Sequence, residues 1–376
     1  MFASLASGAG SALLGICGPF TDVAADVFCP FVLEIFYLGI TTGTTATTYD
    51  PASNVSRLQM AAFLSRTVDG ALKRGSRRAA LDQFWTTQNS TVMGLTTVGL
   101  DPVLLASDGA DIWVANHGEA TVSRVRASDG KLLETWTGAT QAWAVLSAMG
   151  RIFVTGDDNP GKLYRIDPSA PAGVVTTVAS NLGVNSEGIA FDGTRIWVTN
   201  ISDASVSIVT PGPTIPWTAT TLTTVTTGIG SPGGLVFDGS NIWIANNSKL
   251  EKVDPGGTVL QTVTLGSAGA GYPVFDGSNI WVPIATTNRI AVVRASSGAL
   301  LATLTGNGLG DAHAAAFDGQ RVAVTSISSA TLSLWKAADL TPISSLSLPI
   351  ENPRGVCSDG INFWVTLNTG RSILRF

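Results

Sequence analysis

One pattern of apolar and polar positions recurs along most of the chain. In its clearest form, Phe237–Asn246, an apolar residue precedes Asp-Gly, two polar residues follow, and four apolar residues lead to an asparagine. Asp-Gly between apolar runs predicts a hairpin turn, because glycine readily adopts a positive φ. A strand that is apolar at nearly every position must be covered on both faces. The pattern therefore predicts a tight turn followed by a fully buried strand.

The pattern occurs seven times at a nearly constant period. The marker glycines are Gly109, Gly150, Gly193, Gly239, Gly277, Gly319 and Gly360. Each repeat of about 42 residues has room for four short strands, and four strands in such a period are typical of a β-propeller blade. The tryptophan of the motif recurs at one structural position, which predicts a core residue rather than a sugar-binding surface. We expect seven blades.

The last repeat, Gly355–Phe376, holds only three strands. An unassigned strand, Thr91–Gly99, precedes the first repeat and can supply the missing outer strand of the seventh blade. Such pairing would close the ring without a free edge. The predicted fold class is mainly β, a seven-bladed β-propeller over residues 85–376 that is closed by an N-terminal strand.

The chain before the propeller follows a helical pattern. Cys29–Leu38 predicts a short helix with proline in its first turn, ended by Gly39. Ser56 and Gln59 form a capping box at the start of a second helix. The apolar positions of that helix predict one buried face, and they are Leu58, Ala61, Ala62 and Leu64. We divide this part into an apolar segment (residues 1–16), a small helical domain (17–72) and a basic linker (73–84).

Three stretches of the helical domain, Phe20–Val23, Ile35–Gly43 and Tyr49–Leu64, resemble one S-layer homology (SLH) repeat. The resemblance implies an exported protein that is held on a bacterial cell surface by binding a wall polymer. Family members commonly carry three repeats packed together, and this chain has one. By the same resemblance, Arg57 is a candidate ligand for an anionic group of the polymer, beside a helix N-terminus. Gln59 and Asp22 are further binding candidates, and Asp22 has the alternative role of a structural cap.

The strand endings of the repeat also resemble a known group. Trp113–Asn116 and Trp197–Asn200 are similar to the YVTN-type propeller repeats of exported bacterial and archaeal proteins, and more distantly to the streptogramin-lyase group. The lyase group implies a histidine with carboxylates that hold Mg²⁺ on the channel face. This chain has two histidines, His117 and His313, and we expect His117 on a surface loop. With no second carboxylate in the predicted ring, we predict no metal site and no cofactor.

The central channel is the place where chemistry is expected. The position five residues before each turn lines that channel, and it is occupied by Val103, Ala144, Glu187, Gly233, Gly271, His313 and Arg354. The three titratable residues, Glu187, His313 and Arg354, can bind an anion or transfer protons. The alternative is that they are polar residues of a water-filled channel. Trp143, at the mouth of blade 2, is a candidate sugar-binding residue.

Composition excludes some classes of function. Only 13% of residues are charged, the net charge is −5, and no basic block or bilayer-length apolar run occurs. We therefore expect neither nucleic-acid binding nor a membrane span. Residues 1–16 lack the basic residues of a secretion signal, so either the true start lies upstream or this segment packs on a neighbouring subunit.

Several covalent features are expected of an exported protein. Cys17 and Cys29 are close enough in sequence to form a disulfide in a small exported domain, and Cys357 is expected to be a buried free thiol. The Asn-x-Ser/Thr triplets are candidate glycosylation sites, and they begin at Asn54, Asn89, Asn200 and Asn246.

The leading hypothesis is a non-catalytic extracellular protein of the cell surface. Its SLH-like module and propeller would serve attachment, display or self-assembly into a layer or filament, with copies of itself and a wall polymer as partners. One alternative is a propeller lyase or hydrolase with its site at the channel mouth. Another is a carbohydrate-binding module that depends on Trp143.

Overall fold

The computed structural model describes residues 17, 19–24, 28–37, 40–57, 59–64, 67, 94–217, 222–225, 228–349 and 352–376. The chain divides into two compact units, Met1–Phe84 and Trp85–Phe376. The apolar segment 1–16, the basic linker 73–84 and Asn89 lie outside the described residues, so the predictions made for them stay predictions. The two units are considered separately below.

The larger unit is a seven-bladed β-propeller, as predicted. Each blade is a four-stranded antiparallel sheet, and in blades 1 to 6 the strands follow chain order from the channel outwards. Blades 1 to 3 comprise β2 (Pro102–Ser107), β3 (Asp111–Asn116), β4 (Thr121–Arg126), β5 (Leu132–Thr137), β6 (Ala142–Ala148), β7 (Arg151–Gly156), β8 (Gly161–Ile166), β9 (Thr176–Leu182), β10 (Ser186–Phe191), β11 (Ile196–Asn200), β12 (Ser205–Val209) and β13 (Leu222–Val225).

Blades 4 to 7 follow the same order. They comprise β14 (Pro232–Phe237), β15 (Ile242–Asn246), β16 (Lys249–Val253), β17 (Val259–Thr264), β18 (Val274–Phe275), β19 (Asn279–Ile284), β20 (Arg289–Arg294), β21 (Leu300–Thr305), β22 (Ala312–Phe317), β23 (Arg321–Ser326), β24 (Thr331–Lys336), β25 (Pro342–Ser347), β26 (Pro353–Ser358), β27 (Phe363–Leu367) and β28 (Ser372–Arg375). Short 3-10 turns after β3, β19 and β27 span His117–Glu119, Ala285–Thr287 and Asn368–Gly370.

The ring closes through a strand that precedes the first blade. β1 (Gly94–Thr97) pairs antiparallel with β28, with Leu95 opposite Leu374. It thereby becomes the outer strand of blade 7. The closure predicted for Thr91–Gly99 is confirmed, with Gly94–Thr97 as the paired strand within the described residues.

The tryptophans of the repeat lie buried between neighbouring sheets, and each is held by the aspartate of its own turn. In blade 4, Asp238 Oδ1 accepts the backbone N–H groups of Ser240 and Asn241 at 2.8 and 2.7 Å. Asp238 Oδ2 accepts the indole N–H of Trp243 at 2.7 Å. The same three bonds recur in blades 1, 3, 5 and 7. One carboxylate thus fixes the turn and satisfies a buried donor that would otherwise be costly.

The smaller unit is built around α1 (Cys29–Tyr37). A Cys17–Cys29 disulfide links the start of this helix to the preceding segment. Phe20, Val23 and Val32 form its small core, and the rings of Phe20 and Phe36 meet edge to face at 5.1 Å. A second helical segment includes residues 57, 59–64 and 67.

The buried face predicted for the second helix is wrong for its described positions. Ala61 is exposed, Leu64 is 60% exposed and Met60 is 47% exposed, whereas Ala62 and Phe63 are half-buried. The apolar spacing is that of a packed helix, but no described residue of this unit covers Ala61 or Leu64, and Leu58 lies outside the described residues.

Candidate functional site

A chain of hydrogen bonds crosses the central channel at the end where the inner strands begin. Trp143 Nε1 of β6 donates to Tyr272 Oη at 2.7 Å. Tyr272 Oη, from the segment just before β18, donates to Glu187 Oε2 of β10 at 2.7 Å. These residues belong to blades 2, 5 and 3, so one relay joins side chains from across the ring. We call the set Trp143, Glu187, Tyr272, His313 and Arg354 the channel cluster.

His313 and Arg354 complete the channel cluster from blades 6 and 7. The Arg354 guanidinium lies 5.8 Å from the centre of the Trp143 ring, within reach of a cation–π interaction. His313 Nδ1 lies 3.1 Å from the Arg354 carbonyl oxygen. Since a carbonyl oxygen only accepts, Nδ1 carries the proton of this bond. The His313 ring also packs on Tyr272, with centroids 5.2 Å apart.

Burial sets the protonation of the channel cluster. Burial raises the pKa of Glu187 to about 7, with the nearby Asp157 carboxylate adding to the rise and the Tyr272 hydroxyl and Arg354 opposing it. Burial also lowers the pKa of His313 to about 4 and raises that of Tyr272 well above its ordinary value. At neutral pH, His313 is therefore uncharged, and Glu187 can give or accept a proton.

Sequence reasoning missed three residues of this mouth. Tyr272 falls outside the position used to find channel residues, although it bonds directly to Glu187. His117, expected on a surface loop, meets the Trp143 ring edge to face at 5.4 Å. Burial raises the pKa of Asp157, whose Oδ1 accepts the Asn185 amide at 2.7 Å. His117 and Asp157 each come directly after the second strand of their blade, β3 and β7. This shared position is the sequence signal that could have placed them at the channel mouth.

The Trp143 indole already contacts Tyr272 through its N–H group, and it also contacts the Arg354 guanidinium and the His117 ring. Less of the indole is therefore open to a sugar than the sequence predicts. Its role as a sugar-binding residue stays a prediction.

The binding candidates of the SLH-like unit have separate roles in the structure. Asp22 accepts the backbone N–H group of Tyr49 at 2.8 Å and that of Asp50 at 2.7 Å. The bond from Tyr49 is the main cause of the lowered pKa of Asp22. Ser56 and Gln59 form the expected reciprocal cap, at 2.8 and 3.2 Å. Arg57 is exposed and makes no hydrogen bond or ion pair with the part of the chain that the structure describes. Of the three candidates, Arg57 is the one whose side chain has no hydrogen-bond or ion-pair partner among the described residues.

Two of the predicted glycosylation sites are wrong for the folded protein. Asn200 is fully buried, and its Nδ2 donates to Ser205 and Ser207 at 3.0 and 2.9 Å. Asn246 is 3% exposed, and its Nδ2 donates to the Gly228 carbonyl at 2.8 Å. A triplet motif carries no information on burial. Asn54 is exposed.

Cys357 is a free thiol on β26, and burial raises its pKa above the ordinary range. It is therefore a poor nucleophile at neutral pH. No group of three potential metal ligands occurs among the described residues. No described helix has the length and apolar character needed to cross a membrane.

Comparison with protein-family models gives a match in the smaller unit. The family model of the S-layer homology domain matches residues 19–61. No match was found among curated proteins. SLH domains bind cell-wall polymers, and their presence implies a cell-surface or extracellular protein.

Solved structures similar to this chain share the propeller fold. Hydrazine synthase of Kuenenia stuttgartiensis has a TM-score of 0.64 at 14% identity, over 75% of this chain and 96% of that one. Virginiamycin B lyase from Staphylococcus aureus has a TM-score of 0.61 at 16% identity, over 75% and 98%. A streptogramin B lyase has 0.61 at 15%, over 75% and 97%. The chain thus carries an S-layer homology domain at residues 19–61, followed by a seven-bladed β-propeller with structural neighbours in the streptogramin B lyase group.

Proposed function

We propose that this protein is a non-catalytic cell-surface protein whose SLH domain attaches it to a cell-wall polymer and whose propeller is the displayed part. The observation that carries the proposal is the SLH match at residues 19–61. The role that such a domain supports is to hold the rest of the chain at the cell surface.

Arg57 is the residue we assign to the polymer. The Ser56–Gln59 cap satisfies backbone and side-chain groups at the start of the second helix, whereas the Arg57 side chain is exposed. The positive end of the helix and the guanidinium favour the same ligand, an anionic group. Asp22 supports the site indirectly, because it ties the segment before α1 to the loop that leads into the second helix.

Co-sedimentation of the full chain with purified cell walls tests this assignment. We expect Arg57→Ala to weaken wall binding about tenfold, the effect of losing about 1.4 kcal/mol at one charge-assisted contact. Arg126→Ala is the matched control, since Arg126 is also exposed but lies on the propeller. Equal sedimentation of the Arg57 variant and the wild type would contradict the role of Arg57, and absence of wall binding by the wild type would contradict the proposal.

We further propose that copies of the chain self-associate. Several large apolar side chains of the SLH unit are open to solvent, among them Phe31 at 63%, Met60 at 47% and Leu64 at 60%. Side chains of this size gain stability when they are buried against a partner surface. The segment 1–16 has no charged residue and many small or apolar ones, and its packing on a neighbouring copy is part of the same proposal. Burial of these residues on a neighbouring copy would cover apolar side chains that the described part of the SLH unit leaves exposed.

Electron microscopy of the purified protein tests self-association by showing whether it forms particles, sheets or fibres. Deletion of residues 1–15 is expected to abolish a polymer, and Leu64→Glu is expected to reduce it by placing a charge in the packed surface. Leu300→Glu is the matched control, an exposed leucine on the propeller. Assembly that survives both SLH-side changes would rule this proposal out.

A channel-mouth lyase or hydrolase is the alternative, and one observation favours it. Glu187 has a pKa of about 7 and a bonded tyrosine, which suits proton transfer at neutral pH. The predicted base His313 suits it less, because burial keeps its pKa at about 4. In this alternative both Glu187→Gln and His313→Ala abolish an activity, which a substrate screen on the wild type must first find.

A further inference from the structure

A cleft of about 380 Å³ opens between blades 4 and 5, at the end of the propeller where the Asp-Gly turns lie. The channel cluster lies at the opposite end of the same inner strands, so the two places are distinct. The cleft is lined mainly by polar residues, and they include Ser240, Asn241, Lys252, Ser278, Arg294 and Ser296.

Lys252 is the central cation of this cleft. It stands opposite Trp243 in the β15–β16 pair, with its ammonium 5.2 Å from the indole ring centre. Lys252 Nζ donates to the Ala295 carbonyl of blade 5 at 3.0 Å. The side chain therefore bridges the two blades with its charge at the cleft.

Blade 1 has the same arrangement with its charge neutralised. Arg124 stands opposite Trp113 and reaches the Pro168 carbonyl of the next blade at 3.1 Å. However, Arg124 also pairs with Asp111 at 2.6 Å and with Glu134 at 2.9 Å. The positive charge of Arg124 is therefore neutralised by two carboxylates of its own blade.

Blade 4 replaces both carboxylates by amides. Asn241 stands where blade 1 has Asp111, three residues after the turn aspartate, and Gln261 faces Lys252 as Glu134 faces Arg124. Gln261 turns its amide to the Ser297 carbonyl instead, at 3.1 Å. Within the described residues, Lys252 consequently has no ion-pair partner.

The other charges of the cleft leave it net positive. Arg294 is exposed on the blade 5 side. Asp238 is the opposing carboxylate, but its two oxygens already accept three N–H groups from its own turn and from Trp243. The hydroxyls of Ser240, Ser278 and Ser296 make no hydrogen bond with the part of the chain that the structure describes.

We propose that this cleft binds a phosphate group, either as the free ion or as an ester. Lys252 and Arg294 supply two cations for a dianion. Three hydroxyls and the Asn241 amide can donate to the remaining phosphate oxygens, and charge-assisted bonds of this type are the strong ones. The site is independent of the SLH domain and adds an anion-binding function to the propeller.

Calorimetric titration of the full chain with inorganic phosphate, sn-glycerol 3-phosphate and acetate tests the site. Saturable binding of at least one phosphate probe, tighter than that of acetate, is expected for the wild type, and the probe that binds tells the free ion from the ester. The decisive variant is Asn241→Asp with Gln261→Glu, which copies the neutralised arrangement of blade 1. It should weaken phosphate binding about tenfold or more while the melting temperature stays near that of the wild type.

Lys252→Gln is the second variant and should weaken phosphate binding to a similar degree. It removes one positive charge at a single position and introduces no carboxylate. It therefore keeps the test decisive if the double variant folds poorly. Arg124→Gln is the matched control in blade 1 and should bind phosphate as the wild type does. No saturable phosphate binding by the wild type, or equal affinity in the Lys252 variant, would overturn the proposal.

Discussion

At the scale of single residues, the turn aspartates follow a simple chemical rule. Where the buried aromatic residue has an N–H group, the turn has an aspartate to accept it. Blade 2 has Phe153 in the tryptophan position, and its turn is Met149-Gly150, with positive φ at both residues and no aspartate. Burial tends to raise the pKa of Asp108 and Asp192, but the indole and backbone N–H bonds outweigh it and the pKa of each is lowered.

The sequence predicted individual residues of the turns and of the channel, but it did not predict the hydrogen bonds between residues of different blades. Asp-Gly identified the turns and the spacing identified the buried tryptophans, because both signals are local. The Tyr272–Glu187 bond joins residues of blades 5 and 3. Whether two side chains meet across a channel depends on the radius of the ring, which no local pattern contains. The same reason explains why His117 was expected on the surface.

Glu187 gives a prediction about the pH dependence of stability. An unfolded glutamate loses its proton near pH ~4.3, whereas Glu187 in the folded protein loses it near 7. Between these values the folded state binds more protons, so this residue lowers the free energy of unfolding as pH rises, by roughly 4 kcal/mol in all. Glu187→Gln should remove that loss, since the amide oxygen can still accept the Tyr272 hydroxyl.

Thermal unfolding at several pH values between 5 and 8 measures this effect. The melting temperature of the Glu187 variant should exceed that of the wild type by more at pH 8 than at pH 5. Asp339→Asn is the control, because the pKa of this exposed aspartate is lowered and it titrates below the window. Parallel curves for wild type and Glu187→Gln would contradict the assigned pKa.

At the scale of elements, blade 6 shows how the repeat tolerates a missing tryptophan. Ala323 takes the tryptophan position, and Arg321 Nε donates to Asp318 Oδ2 at 2.7 Å in place of the indole. Both side chains of this pair are buried, at 3% and 2% exposure. The Arg321 guanidinium also lies 5.3 Å from the Phe363 ring of blade 7. One arginine thus replaces both the hydrogen bond and part of the packing.

The tryptophan arrangement of the other blades can be introduced into blade 6 by mutation. Arg321→Asn alone should destabilise the protein by roughly 3–5 kcal/mol, because it breaks a buried ion pair. Adding Ala323→Trp copies the arrangement of blades 5 and 7, where asparagine and tryptophan both donate to the turn aspartate. The double variant should therefore recover part of the loss, as measured by urea unfolding. A double variant less stable than Arg321→Asn would show that the blade 6 core cannot accept the ring.

The elements themselves were predictable to different degrees. Four strands per repeat and the closing strand follow from apolar runs and turn signals, and the structure confirms both. The inner strand of blade 5 is reduced to Val274–Phe275, because Pro273 just before it cannot donate to a sheet ladder. The second SLH helix was given a buried face from its spacing. Spacing shows which side of a helix is apolar but cannot show that a partner surface is present.

At the scale of the whole molecule, closure by β1 makes the residues before blade 1 part of the propeller's stability. A chain that starts at residue 85 should unfold like the propeller of the intact protein. A chain that starts at residue 98 lacks β1 and should lose on the order of 2–6 kcal/mol, from about four residue pairs at ~0.5–1.5 kcal/mol each. It should also aggregate, because β28 becomes an open edge.

Urea unfolding and light scattering on the two truncated chains check this expectation. The comparison isolates β1, since the shorter chain lacks only residues 85–97 of the longer one and both lack the SLH domain. Equal stability and solubility of the two chains would mean that the β1–β28 pairing contributes little.

The same closing strand constrains the order in which the protein can mature. β1 is synthesised before every blade, but its partner β28 follows all seven inner strands. At ~5–20 residues per second of synthesis, β1 waits on the order of tens of seconds for that partner. Until then blade 7 is incomplete, and blade 1, whose four strands are all made early, has no closed ring to join. A nascent chain of this protein is thus a row of blades, and it becomes a ring only when its two ends meet.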